Sequence, residues 1–260
     1  MKRGVYILPN ALTLCGMCCG VYAILAAMKG QYTDAGTAIL IANIFDGLDG
    51  WVARLTNSAS RFGIELDSLS DLVAFGVAPS VLVYNWALEP TGRIGWAVAF
   101  LYVCCGALRL ARYNVQMVST EKKYFTGMPI PAAATILATF VIFHEHQFDK
   151  AHANAVLVVI MTVVLSIFMI STLRFHGLKE LDLKKRKPFP FLVLLIIIIT
   201  IITMNPPVML FVFGFLYMFI GIVENVYLLY TRKKREPATG VSTVAVLDRK
   251  REHHKDADKR

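Results

Sequence analysis

Residues 33–54 read TDAGTAILIANIFDGLDGWVAR. The run from Ala35 to Phe45 is apolar except for Thr37 and Asn43, and Asp46, Asp49 and Arg54 follow it. At about 1.5 Å per residue the segment is long enough for a helix across a hydrocarbon layer of ~30 Å. Two carboxylates near one end of such a helix need an explanation, because an Asp at a bilayer centre costs about 2.5–3.5 kcal/mol.

Similar stretches lie on both sides. Candidate spans are Tyr6–Met28, Thr33–Arg54, Gly63–Leu88, Ile94–Val115, Pro131–Gln147, Asn154–Thr172, Phe189–Met204 and Val208–Tyr230. The expected fold is therefore an all-α integral membrane protein, a bundle of about eight transmembrane helices. Pro129/Pro131 and Pro206/Pro207 stand at span starts, where a missing N–H does least harm. No repeat or second domain is evident, so residues 1–230 read as one membrane domain and 231–260 as a basic tail.

Composition agrees with this reading. The chain has 260 residues, 56% hydrophobic and 17% charged, with a mean hydropathy of +0.56. Soluble domains carry roughly 25% charged residues. A soluble cytoplasmic enzyme, a secreted disulfide scaffold and a disordered chain are excluded. The five cysteines, Cys15, Cys18, Cys19, Cys104 and Cys105, all fall inside apolar stretches and read as small packing residues. Behind Lys2 and Arg3, the first stretch is too long for a signal h-region and lacks an A-x-A site; it reads as a retained helix.

A net charge of +9 and a pI near 9.4 invite a nucleic-acid reading. In a membrane protein, however, Lys and Arg gather in cytoplasmic loops and attract anionic lipid. With the amino terminus placed inside, only Lys29, Arg93 and Lys150 lie outside. The expectation is that both termini are cytoplasmic, that the partner surface is membrane lipid, and that no nucleic acid is bound. The loop Ser119–Met128, with Lys122 and Lys123 beside Tyr124 and Phe125, suits an interfacial position; an ordinary connector fits the same residues.

Asp67 and Asp71 stand near the start of the third span, as Asp46 and Asp49 stand near the end of the second. Asp49 lies about 7.5 Å below Arg54 and Asp67 about 9 Å below Arg61, so both pairs reach similar depth. Spacings of three and four put each pair on one helix face, and a short connection makes the helices antiparallel neighbours. Four such charges at full depth would cost on the order of 10–14 kcal/mol. Arg54 and Arg61 can offset two. Two divalent cations can offset all four, since carboxylate oxygens suit hard ions, and paired metals clamp phosphoryl groups. A structural ion-pair cluster and a proton or cation pathway remain as alternatives. A transporter, however, would spread its acids through the membrane depth or break a helix at the midplane. Gly50, Ala53 and Gly63 leave room for a ligand beside the acids.

Asp46-Gly-Leu-Asp49-Gly50-Trp-Val-Ala53-Arg54, eight residues, Gly63, three residues, Asp67, three residues and Asp71 resembles the signature of the CDP-alcohol phosphotransferases, D-x-x-D-G-x-x-A-R-x8-G-x3-D-x3-D, without a mismatch. Leu8-Pro9-Asn10 with Thr13 looks like the family's opening span. Arg109-Leu-Ala-Arg112-Tyr113-Asn114, followed by Phe125-Thr-Gly-Met-Pro-Ile-Pro131, looks like the phosphatidylserine synthase branch. The resemblance implies transfer of a phosphatidyl group from CDP-diacylglycerol to L-serine, with release of CMP. It also implies a divalent cation requirement, Mg²⁺ or Mn²⁺ with two ions per site, and a homodimer. Glycerol 3-phosphate or inositol phosphate remain alternative acceptors.

By that resemblance Asp46, Asp49, Asp67 and Asp71 would hold metal, with Asp71 also the general base. Gly50, Ala53, Arg54 and Gly63 would line the CDP site together with Asn10 and Thr13. Arg109 and Arg112 can grip a carboxylate or phosphate through their guanidinium forks, or equally can snorkel to the interface. Glu65 and Glu224 read as structural groups or as residues at a lipid opening. His144, Glu145 and His146 read as a solvated outer loop.

Overall fold

A computed structural model describes residues 6–56, 58, 60–118, 127–148 and 153–171, with short pieces and single positions between 200 and 219. Apart from Thr200 and Thr203, the span Phe189–Met204 lies outside the described residues, as does Val208–Tyr230 in large part. So do the loop lysines Lys122 and Lys123, the basic loop before Phe189, Glu224 and the tail from 231. All elements below belong to one compact unit, Met1–Gly221.

Among the described residues every regular element is helical. Helices α1 (Ile7–Met28) and α2 (Tyr32–Leu55) form a hairpin. Its turn is made by Gly30, whose φ of +74° a side chain would strain. Gln31 N–H closes the turn by donating to Ala26 O at 2.9 Å. Ala23, Ala26, Ala27, Ala35, Ala38 and Ala42 are buried. Small residues allow close helix approach where no hydrophobic force drives association. Gly20 shows how close: a Cβ there would stand 2.6 Å from Ala74 Cα.

The third span is helical from Arg61 to Thr91 but not uniformly so. α3 (Arg61–Asp71) passes into π-helical turns over Leu72–Val77, then α4 (Ala78–Val83), further π turns over Tyr84–Leu88 and a 3₁₀ turn over Glu89–Thr91. Prolines give the reason. Pro79 has no N–H for the carbonyl of Phe75, four residues back, and its ring would crowd that carbonyl. The wider turn relieves the crowding, and the fully buried Tyr102 hydroxyl donates to Phe75 O at 3.3 Å. Pro90 stands in the same relation to the second π segment. The expected span Gly63–Leu88 is thus helical throughout, with π turns added to the α-helix.

α5 (Arg93–Val118), α6 (Ile130–Gln147) and α7 (Ala155–Ile170) complete the described bundle. α6 is central: Ile130, Ala133, Ala134, Ile136, Leu137, Ala138 and Val141 are buried, and Asn43 Nδ2 of α2 donates to its Thr135 Oγ1 at 3.0 Å. Asn154 caps α7 by accepting from Val156 N and Leu157 N. Ile7, Leu8, Val21, Tyr22, Leu25, Trp51, Ile94, Phe100 and Leu108 are exposed around the perimeter, as a lipid-facing surface requires. Among the described residues Ile7–Met28, Arg61–Thr91 and Arg93–Gln116 are long and apolar enough to cross a membrane, and Ala155–Ile170 is a shorter apolar helix. α2 has comparable length but carries Asp34, Asp46, Asp49 and Arg54.

His144, Glu145 and His146 belong to the last turns of α6, not to a loop. Glu145 Oε1 accepts from Trp86 Nε1 at 2.8 Å, and the His144 ring lies edge-on to Trp86. The helix continues because these residues have packing partners on the neighbouring span.

Candidate active site

Alternation of helix direction brings the start of α1, the end of α2, the start of α3 and the end of α5 to one end of the bundle. Ser60 begins α3 in an extended conformation, and its hydroxyl accepts from Gly63 N at 3.0 Å. That cap starts the helix where Asp67 and Asp71, one turn apart, turn toward α2.

The carboxylates converge. Ligand oxygens of Asp46, Asp49 and Asp67 lie within 4.8 Å of one another. Asp71 lines the same small cavity, about 10 Å³, with Thr13, Gly16, Ser70, Ala74 and Phe75. Opposed oxygens on an octahedral Mg²⁺ stand about 4.2 Å apart, at 2.0–2.1 Å from the ion. The three carboxylates are thus hard donors at a spacing that fits a divalent cation. The cavity has room for an ion or a water, so a nucleotide must lie outside it.

The acids are held from behind. Thr13 Oγ1 donates to Asp49 Oδ2 at 2.6 Å, and Asp49 is only 6% exposed. Ser70 Oγ donates to Thr13 O at 3.0 Å and ties α3 to α1. Thr13 therefore supports a carboxylate. Asn10 stands elsewhere: a Cβ on Gly63 would meet Asn10 Oδ1 at 3.3 Å and Ser60 Oγ at 3.2 Å. Beside Gly50, among the described residues and apart from the helix's own backbone, such a Cβ would meet within 4 Å only Arg54 Nη1, at 3.8 Å, so the helix surface there is open. Ala53 is half-buried, and Arg54 and Glu65 are exposed.

The two arginines of α5 part company. Arg109 lies within electrostatic reach of Asp71. Arg112 Nη1 donates to Ile170 O at 2.9 Å, at the last turn of α7. Tyr113, one turn beyond Arg109, senses Arg109, Asp67, Asp71 and Arg54. Sequence reasoning quoted Tyr113 without assigning it a part and passed over Ser70, Ser68 and the Ser60 cap. The serine that precedes the spaced Gly63 was a readable capping signal; contacts between distant helices left no local signal.

A family model described as CDP-alcohol phosphatidyltransferase matches residues 6–168. The chain belongs to this family. It is a transferase, built of apolar helices as a membrane enzyme is. Among its relatives is a protein of Helicobacter pylori strain J99 named CDP-diacylglycerol–serine O-phosphatidyltransferase, 36% identical over 226 residues, covering 86% of this chain and 93% of the relative. One of the same name from Mycobacterium bovis is 46% identical over 140 residues, 51% of this chain and 49% of its own. An archaetidylserine synthase of Methanothermobacter thermautotrophicus is 36% identical over 170 residues, 65% of this chain and 69% of its own. The matched segment of the family model contains all four acids, Arg54, Arg109 and Tyr113.

Proposed function

We propose that this family member transfers the phosphatidyl group of CDP-diacylglycerol to the hydroxyl of L-serine, giving phosphatidylserine and CMP. The observation that carries the chemistry is the convergence of Asp46, Asp49 and Asp67 within 4.8 Å, with Asp71 on the same cavity. The names of the relatives support serine as acceptor.

Asp46, Asp49 and Asp67 would hold Mg²⁺ or Mn²⁺, with Asp71 at the edge of the set. A divalent cation bound there supplies charge neutralisation for the diphosphate and for the departing CMP. The open helix surface at Gly50, together with Arg54, Ala53, Gly63 and Asn10, accepts the cytidine end. Acyl chains stay in lipid. Serine enters on the α5 side, its carboxylate drawn to Arg109. A serine hydroxyl needs a base as it attacks, and Asp71 takes its proton. The Lys and Arg bias supports a cytoplasmic site with both termini inside.

The test is CMP release in detergent with CDP-diacylglycerol, Mg²⁺ or Mn²⁺, and a panel of alcohols. Serine alone should give rapid turnover, and chelation should stop it. Asp71→Asn should abolish turnover and leave CDP-diacylglycerol binding measurable. Substantial residual activity would remove Asp71 as base, and turnover on glycerol 3-phosphate in place of serine would change the acceptor.

A further inference from the structure

α5 meets α3 through a polar contact that the reaction as described leaves without a task. Asn114 Nδ2 donates to Ser68 Oγ at 2.9 Å. Ser68 Oγ in turn donates a hydrogen bond to Ile64 O at 3.0 Å or to Asn114 Oδ1 at 3.3 Å. Both side chains are half-buried. Their chain positions matter: Ser68 stands between Asp67 and Asp71, and Asn114 follows Tyr113. Arg109 and Tyr113, four apart, share a face of α5.

Between two helices in lipid, apolar contacts leave rotation and axial height soft, whereas a side-chain hydrogen bond selects one register. We propose that Asn114 and Ser68 are positioning residues whose bond sets α5 against α3, so that Tyr113 and Arg109 stand over the acid pair and form the acceptor side of the site. The proposal rests on the phosphatidyl-transfer reading above. The groups placed on the donor side, Asn10, Gly50, Ala53, Arg54 and Gly63, belong to α1, α2 and the first turn of α3 and make no contact in this bond. Loss of the tether therefore acts on the acceptor. A loosely held serine lets water compete: the bond from phosphorus to the CMP oxygen breaks, one to the water oxygen forms, and the water's proton leaves to a carboxylate. The products are phosphatidate and CMP.

The experiment compares full-length wild type, Asn114→Ala, Ser68→Ala, the double variant and Ser68→Thr in detergent with CDP-diacylglycerol. Phosphatidylserine, phosphatidate and CMP are measured as serine is varied, alongside thermal unfolding. Each single alanine variant should raise serine KM and the phosphatidate-to-phosphatidylserine ratio by about threefold to thirtyfold, the range for one interhelical hydrogen bond. Donor KM should stay within twofold. The double variant should be no worse than either single one in both kinetics and Tm, and Ser68→Thr, which keeps the hydroxyl, should restore the ratio. Equal rises in donor and serine KM, additive effects in the double variant, or an unchanged product ratio would overturn the assignment. If Asn114→Ala fails to fold, Ser68→Ala removes the same bond and decides. A wild type inactive on serine would refute the acceptor reading alone; the same ratios are then read with the alcohol that the panel identifies.

Discussion

The hydroxyl of Thr13 has two acceptors, Asp49 Oδ2 at 2.6 Å and Pro9 O at 3.1 Å, and a single proton. The carboxylate is the shorter and, as an anion, the stronger partner. Groups behind a metal ligand orient it, and their loss typically costs 10–100-fold in metal affinity. Thr13→Val, which keeps the shape and removes the donor, should raise the Mn²⁺ concentration for half-maximal activity by about 10- to 100-fold. Thr13→Ser should lie near wild type. An unchanged Mn²⁺ titration for the valine variant would show that Asp49 is held without Thr13. Gly63 and Gly50 illustrate different needs at this scale. The first is crowded by Asn10 and Ser60, the second faces open space.

Helix ends decide the next scale. The last carbonyls of α7 have no partners within the helix and must find them elsewhere. Met128 N donates to Phe168 O at 3.0 Å, Ser171 Oγ to the same carbonyl at 2.9 Å, and Arg112 Nη1 to Ile170 O. Gly127, with φ +92°, lets the chain pass so near that a Cβ would stand 2.4 Å from Met169 O. Arg112 is thus engaged by an element end, whereas Arg109 faces the acids. Arg112→Ala should lower stability by about 1.5–3 kcal/mol, the range for a hydrogen bond from a charged donor, with serine KM within twofold. Arg109→Lys should raise serine KM and leave Tm nearly unchanged. Thermal unfolding and serine titration of both variants check this, and the opposite split would place Arg112 on substrate. The π turns after Asp71 belong to this scale as well. Pro79 displaces a backbone bond, and Tyr102 from α5 replaces it.

At the scale of the molecule, the acids occupy one end of the bundle and the Trp86–Glu145 contact the other. With the charge bias, this predicts that alkaline phosphatase fused after Gln147 is active on the outer side of a bacterial membrane, whereas the same enzyme fused after Arg260 is inactive. Activity of the second fusion would invert the orientation or change the number of spans. Membrane-length apolar runs, the Lys and Arg asymmetry, and the spacing of Asp46, Asp49, Asp67 and Asp71 were all readable without coordinates. Each is local or periodic: one helix places residues three and four apart on one face whatever surrounds it. Three other features were decided by tertiary structure: Thr13 beneath Asp49, Arg112 on the end of α7, and Asn114 on Ser68. These contacts join residues 36, 58 and 46 positions apart. Helix rotation and height, which no single segment carries, determine which polar groups meet.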